Sequence, residues 1–211
     1  MADGDFESRG TRGPREDAGE RERLIAAFAK AASEHGYRDL TPDQVARYAG
    51  LSRARFEHHL GSKEQGLVAA QDAFLDRIWL DVLGACQTRT DWPQRVRAAL
   101  QSAIAAVVEA SSLARVFAVE ATAVSLAAAE RQFASIDQFA SLLGEGRRLY
   151  PRAASLPQAT ERALIGGIFS ILSGHLLAEN PGAIAALESQ LVELLLIPYV
   201  GESEARLISA G

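Results

Sequence analysis

The chain has 211 residues, of which 48% are hydrophobic, and it carries a net charge of −5 with a single cysteine, Cys86. That apolar share suffices for a real core and excludes an intrinsically disordered protein, while one cysteine excludes an intrachain disulfide and fits helix packing in a reducing cytoplasm. No apolar run near the start reads as a signal peptide, and the longest stretch without Lys, Arg, Asp or Glu, Ala163–Ala178, falls short of the roughly 20 apolar residues of a membrane span.

Residues 1–19 are polar and glycine-rich with little apolar periodicity, so a disordered tail is predicted, its Arg9, Arg12 and Arg15 solvated among acids. From Glu20 the apolar residues Leu24, Phe28, Ala31 and Ala32 recur every three to four positions, which describes an amphipathic helix ending at Gly36. Thr41 precedes Pro42 at a first helical position and Gln44 three residues on, so the threonine oxygen accepts from the first turn while Gln44 reaches back. Gly50 supplies the left-handed conformation that ends this helix, and Ser52 caps the next, about Arg53–His59, after a sharp turn. Arg53, Arg55, Glu57, His58 and His59 crowd that short helix, and Ser62 with Gln65 caps another at once. Two short helices about a glycine turn, the second polar-faced, suit the major groove of a DNA duplex. Between positions 38 and 63 five basic residues (Arg38, Arg47, Arg53, Arg55, Lys63) stand against three acidic ones (Asp39, Asp43, Glu57). A basic head on an acidic body keeps phosphate contacts local.

The stretch from about Arg23 to Phe74 resembles the DNA-binding domain of the TetR/AcrR family of bacterial repressors. Gly36-Tyr37, Thr41, Val45-Ala46, Ala49-Gly50-Leu51-Ser52, Phe56, His59 and Ser62-Lys63-Glu64 match its pattern together. Where the family usually has Thr, Phe or Leu, and Tyr in the recognition helix, this chain has Arg55, Phe56 and Glu57, and Leu60 stands for the usual Phe. The family Tyr commonly touches a phosphate, so Glu57 implies an altered half-site preference. The resemblance implies a tail at 1–19, a helix-turn-helix domain at 20–65 and a ligand-binding and dimerisation body at 66–211, in a cytoplasmic homodimer on a pseudo-palindromic duplex operator. The DNA-binding residues expected are Thr41, Gln44, Ser52, Arg53, Ala54, Arg55, Glu57, His58, His59 and Lys63. Arg55 suits guanine, Glu57 suits cytosine, and Thr41 and Lys63 suit phosphate.

Ser62 to about Cys86 reads as a long helix whose apolar face (Leu67, Phe74, Leu75, Ile78, Trp79, Val82, Leu83) is too broad for the head alone, so it links head and body. Further helices are predicted over about 92–110, 113–125, 127–148, 158–179 and 183–197, the last closed by Pro198 and Gly201. No segment alternates with period two, so the fold class is all-α, with a three-helix head and a body of about six helices. Glu120 projects from an apolar face made by Val116, Phe117, Ala123 and Val124. Two readings stand for it. It is a structural ion pair with an arginine such as Arg95, Arg97 or Arg162, or the polar anchor of a pocket walled by Phe74, Trp79, Phe117, Phe133 and Phe139. Such a pocket takes a small, largely apolar effector with a donor or cationic group. Gly166, Ser170, Gly174 and Ala178, spaced by four, put small residues in one helical column. With Leu187 and Leu191 of the last helix they are read as a two-fold dimer interface rather than packing within one subunit.

His35, His58, His59 and His175 lack metal-ligand spacing, adjacent His58 and His59 leave the helix on different faces, and no nucleophile elbow or phosphate loop occurs. No catalytic residue, metal or cofactor is therefore expected. Three functions compete: a ligand-responsive dimeric repressor, which is favoured; a DNA-binding regulator whose body is only a dimerisation or protein-docking scaffold; and an all-α enzyme using Glu120 as acid or base. In the first, ligand shifts the long helix and changes the separation of two recognition helices, which DNA needs about 34–36 Å apart.

Overall fold

The computed structural model describes residues 14–210, and every regular element among them is helical. The head opens with α1, Pro14–Asp39, which bends where Gly36 adopts φ +74 and ψ 163. That left-handed value suits glycine alone. α2, Pro42–Tyr48, and α3, Arg53–Leu60, fold back onto it around Gly50, whose φ is +66. Leu24, Phe28, Ala31 and Ala32 of α1 meet Leu40, Val45, Ala46, Phe56 and Leu60 in one buried cluster. Part of the expected tail at 1–19 is ordered. Residues 14–19 are helical, because Glu16 and Asp17 in the first turn favour the helix dipole and Asp17 finds Arg55 on α3. Positions 1–13, with Arg9 and Arg12, lie outside the described residues.

α4, Lys63–Gln87, leaves the head directly and buries Leu67 and Ala70 there before burying Leu75, Ile78 and Val82 further along. α5, Trp92–Glu109, packs back along it. The predicted helix over 113–125 is broken into α6 (Ser111–Arg115), a π turn (Val116–Ala121) and α7 (Thr122–Val124). α8, Leu126–Ser141, then passes through a 3-10 turn into the short α9, Gly146–Leu149. After a second 3-10 turn at Pro151–Ser155 come α10 (Thr160–Leu177), α11 (Pro181–Ala186), α12 (Glu188–Val200) and α13 (Glu202–Ala210).

Two departures from the predicted elements share a cause. α12 runs through Pro198 to Val200, and α13 follows Gly201, where an end was expected. Tyr199 is 1% exposed and packs against Trp92 with ring centroids 4.9 Å apart and a 59° tilt, so tertiary burial holds the turn that proline alone would open. Its hydroxyl donates to Glu161 at 3.0 Å, and Glu161 also receives Arg147 at 2.6 and 2.7 Å. Arg147 holds the Glu161 carboxyl below its ordinary range, and burial together with Glu161 pushes the Tyr199 phenol up. Cys86, half-buried, points its thiol at the Arg95 carbonyl, and burial raises its pKa, as befits a packing cysteine.

Candidate functional site

Three caps shape the outer surface of the head. Thr41 N donates to Gln44 Oε1 at 2.7 Å and Gln44 N to Thr41 Oγ1 at 3.3 Å. Ser52 Oγ accepts from Arg55 N, and Ser62 and Gln65 exchange bonds of 2.9 and 3.1 Å at the start of α4. With α2 and α3 fixed, Ser52, Arg53, Ala54, Glu57 and His58 are exposed together along α3, with Thr41 exposed and Gln44 half-buried at the start of α2. Arg53 Nη1 lies 2.7 Å from Asp43 and Nε 2.8 Å from Glu57, which occupies Glu57 with an intrahelical partner. Both pairs are half exposed, so they cost little to exchange for a phosphate.

Arg55, His59 and Lys63 fall elsewhere. Arg55 turns inward to α1, where Nη2 bonds Asp17 Oδ1 at 2.6 Å and Nε bonds Glu20 Oε2, an acid only 2% exposed. The expected guanine reader is thus drawn off the outer face by Glu20 of the predicted first helix and by Asp17, which the expected tail had left out of the fold. His59 follows it, with Nε2 at 3.2 Å from Glu20 Oε2. Lys63 Nζ donates to the Arg38 carbonyl at 3.0 Å and sits 4.4 Å over the Tyr37 ring, and partial burial lowers its pKa against the pull of Asp39. It closes the head onto α4 rather than standing free. His58 and His59, expected on different faces, have ring centroids 4.8 Å apart, and with Asp17 their ligand atoms lie within 4.8 Å. A cation there meets the Arg55 guanidinium, 3.0 Å from His59 Nε2, whose fixed charge opposes it.

The body encloses a cavity of about 130 Å³ between α4, α5, the π turn, α8 and α10. Phe74, Phe117 and Phe139 line it, as the sequence reading anticipated, and Phe74 and Phe117 meet at 5.5 Å. Trp79 stands outside the lining, edge-on to Phe139 at 5.4 Å, and Phe133 is 56% exposed. Ile165, Ile168, Phe169 and Leu172 of α10 complete the wall, which the sequence reading missed because it used that helix only for its small-residue column. Their spacing of three to four on the face across from that column was the available signal.

Glu120 does not line the cavity. Its Oε2 accepts from Tyr37 N at 3.0 Å and its Oε1 lies 2.8 Å from Arg115 Nη1, so the carboxylate clamps the bend of α1 to the π turn. A Cβ on Gly36 would stand 3.3 Å from that Oε2, a second reason for glycine there. The partner is Arg115, five residues back across the π turn; Arg95 instead pairs with Glu145, Arg97 bonds the Ile208 carbonyl and Arg162 pairs with Asp137.

No family model matches the chain. The transcriptional activator FasR of Mycolicibacterium smegmatis is 32% identical over 94 residues, 44% of this chain and 42% of that protein, so the chain spans about two fifths of the length of the curated relative. The fatty acid degradation regulator FadR of Bacillus halodurans superposes with a TM-score of 0.73 at 20% identity, covering 88% of this chain and 96% of that one. A TetR-family regulator from Rhodococcus gives 0.70 at 20% identity over 86% and 99% of the two chains. The fold is that of the TetR-family regulators. A further TetR-like neighbour, FadR of Bacillus subtilis solved with stearoyl-CoA, gives 0.66 at 16% identity over 82% and 95%.

In this TetR fold the small column of α10 faces outward. Ser170, Gly174 and Ala178 are exposed and Gly166 half-buried, and a Cβ added to Gly166 or Gly174 meets nothing within 4 Å. Close packing within the subunit therefore does not explain the glycines. Leu187 is half-buried on the core, whereas Leu191 is 3% exposed and belongs to that core. On α12 it is Leu194 that is exposed, at 40%, and on α10 Ile171 and Leu177 are exposed at 38% and 64%. No single helix among the described residues is long and apolar enough to cross a membrane.

Proposed function

We propose that the chain is a dimeric, ligand-responsive transcriptional regulator that grips a pseudo-palindromic duplex with two copies of its head and houses an apolar effector in its body. The observation that carries this reading is the continuity of α4, whose first turn is capped beside the recognition helix and whose middle forms the wall of the cavity. Effector binding that repositions α4 changes the separation of the two heads, and a duplex tolerates little change about one helical turn. The DNA face is Ser52, Arg53, Ala54, Glu57 and His58 with Thr41 and Gln44 beside them, while Arg55, His59 and Lys63 hold the head together.

The apolar lining suits a chain or ring of hydrocarbon character, in keeping with the acylated ligand of the Bacillus subtilis neighbour. It also favours this reading over a body serving only as scaffold. The outward faces of α10 and α12 supply the dimer contact, where Gly166 and Gly174 let two backbones approach. The test pairs sedimentation velocity with selection of duplexes from a random pool. A dimer that enriches inverted half-sites, and a Gly174→Leu protein that keeps its helicity but sediments as monomer, are the expected results. A monomeric wild type, or a pool without enriched half-sites, overturns the reading.

A further inference from the structure

Three polar side chains line the cavity, Gln71, Gln132 and Ser173, and of these Gln71 holds a fully buried atom without a partner among the described residues. Gln71 lies on the inward face of α4, in register with Leu67, Phe74, Leu75 and Ile78, and is 1% exposed. Its Nε2 donates to the Ala128 carbonyl at 3.2 Å, which fixes which end of the amide is which: turning it over would set oxygen against oxygen. Its Oε1 is buried without a donor among the described residues, on a side chain that lines the cavity. A buried acceptor in that position costs free energy that a donor on a bound molecule restores.

We propose that Gln71 is the polar anchor of the cavity, its Oε1 accepting a hydrogen bond from a neutral hydroxyl or amide N–H on an otherwise apolar effector. The inference rests on the reading of the cavity as an effector site. None of the lining residues carries a charge, so an ammonium group there has no carboxylate to offset its desolvation. An ionised carboxylate presents only acceptors, so it cannot complete the hydrogen bonding of Oε1. Glu120, the anchor expected from sequence, is spent on the head. The volume is near the roughly 150 Å³ of an engineered apolar cavity that binds benzene, so small substituted aromatics are suitable probes.

Two isomers of equal size test the inference by isothermal titration calorimetry: p-ethylphenol, which has a donor, and p-methylanisole, which has none. The wild-type protein should bind the phenol about tenfold more tightly, the worth of one well-made hydrogen bond. Gln71→Leu should abolish that preference by weakening the phenol alone, with circular dichroism and melting confirming the fold and Gln71→Met standing in if leucine misfolds. Equal wild-type affinities overturn the donor requirement and leave the effector cavity intact. A preference that survives both substitutions assigns the donor to another group and overturns the role of Gln71. If neither probe binds, the effector cavity itself falls, and the anchor with it.

Discussion

Head and body differ in how far their buried polar side chains are satisfied. In the head, partners lie within three or four residues or across one helix contact: Thr41 with Gln44, Ser62 with Gln65, Arg53 with Glu57, Arg55 with Asp17 and Glu20. In the body, Arg147, Glu161 and Tyr199 converge from three elements, while Gln71 and Trp92 each keep a buried polar atom without a partner among the described residues. The two regions therefore differ in how far their buried polar atoms are satisfied, and the proposed anchor rests on that difference. The joint between them is Glu120, a body carboxylate that completes the hydrogen bonding of the head.

The strongest way to break this contrast is at the long-range body network. Glu161→Gln leaves Arg147 without its counter-charge and should cost about 3 kcal/mol, read as a drop in melting temperature at neutral pH. Because Arg147 holds the Glu161 carboxyl below its ordinary 4.5, the stability it contributes is present above that pH and is lost as pH falls through the lowered folded value. The acid limb of a stability–pH profile should therefore be flatter in the variant than in wild type.

At the joint, Gly36→Ala should cost about 2 kcal/mol, since alanine is strained at φ +74 and its Cβ crowds Glu120 Oε2. Combining it with Glu120→Ala should recover part of that loss, and strict additivity of the two would mean the crowding is immaterial. Glu120→Gln, which keeps an acceptor for Tyr37 N but drops the charge facing Arg115, should cost about 1 kcal/mol and alter operator affinity without any effector. Unchanged affinity there would separate head from body. The smallest stability effect is expected at the head surface. Arg53→Ala should leave the melting curve in place and lower the salt-dependence slope of duplex binding by about one, the signature of a single phosphate contact.

The helices of the head were legible because their signals are local. A threonine before proline, a glycine turn and a serine with glutamine three residues on each act within one turn, and α2, α3 and α4 begin where those residues stand. The face each side chain takes was less legible, since Arg55 is turned by Asp17 and Glu20, 38 and 35 residues away in sequence. In the body the period of the apolar residues marked most helices, but it passed over the π turn at Val116–Ala121 and the helix after Gly201, both held by packing rather than by composition.

The sequence by itself determined the all-α class and the capped helices of the head, because propensity, capping and periodicity depend on near neighbours. Only the tertiary structure decided which carboxylate serves the joint, which leucine of α12 looks outward and which amide faces the cavity. Those outcomes depend on distant elements approaching within a few ångströms, and a one-dimensional pattern carries no measure of that distance.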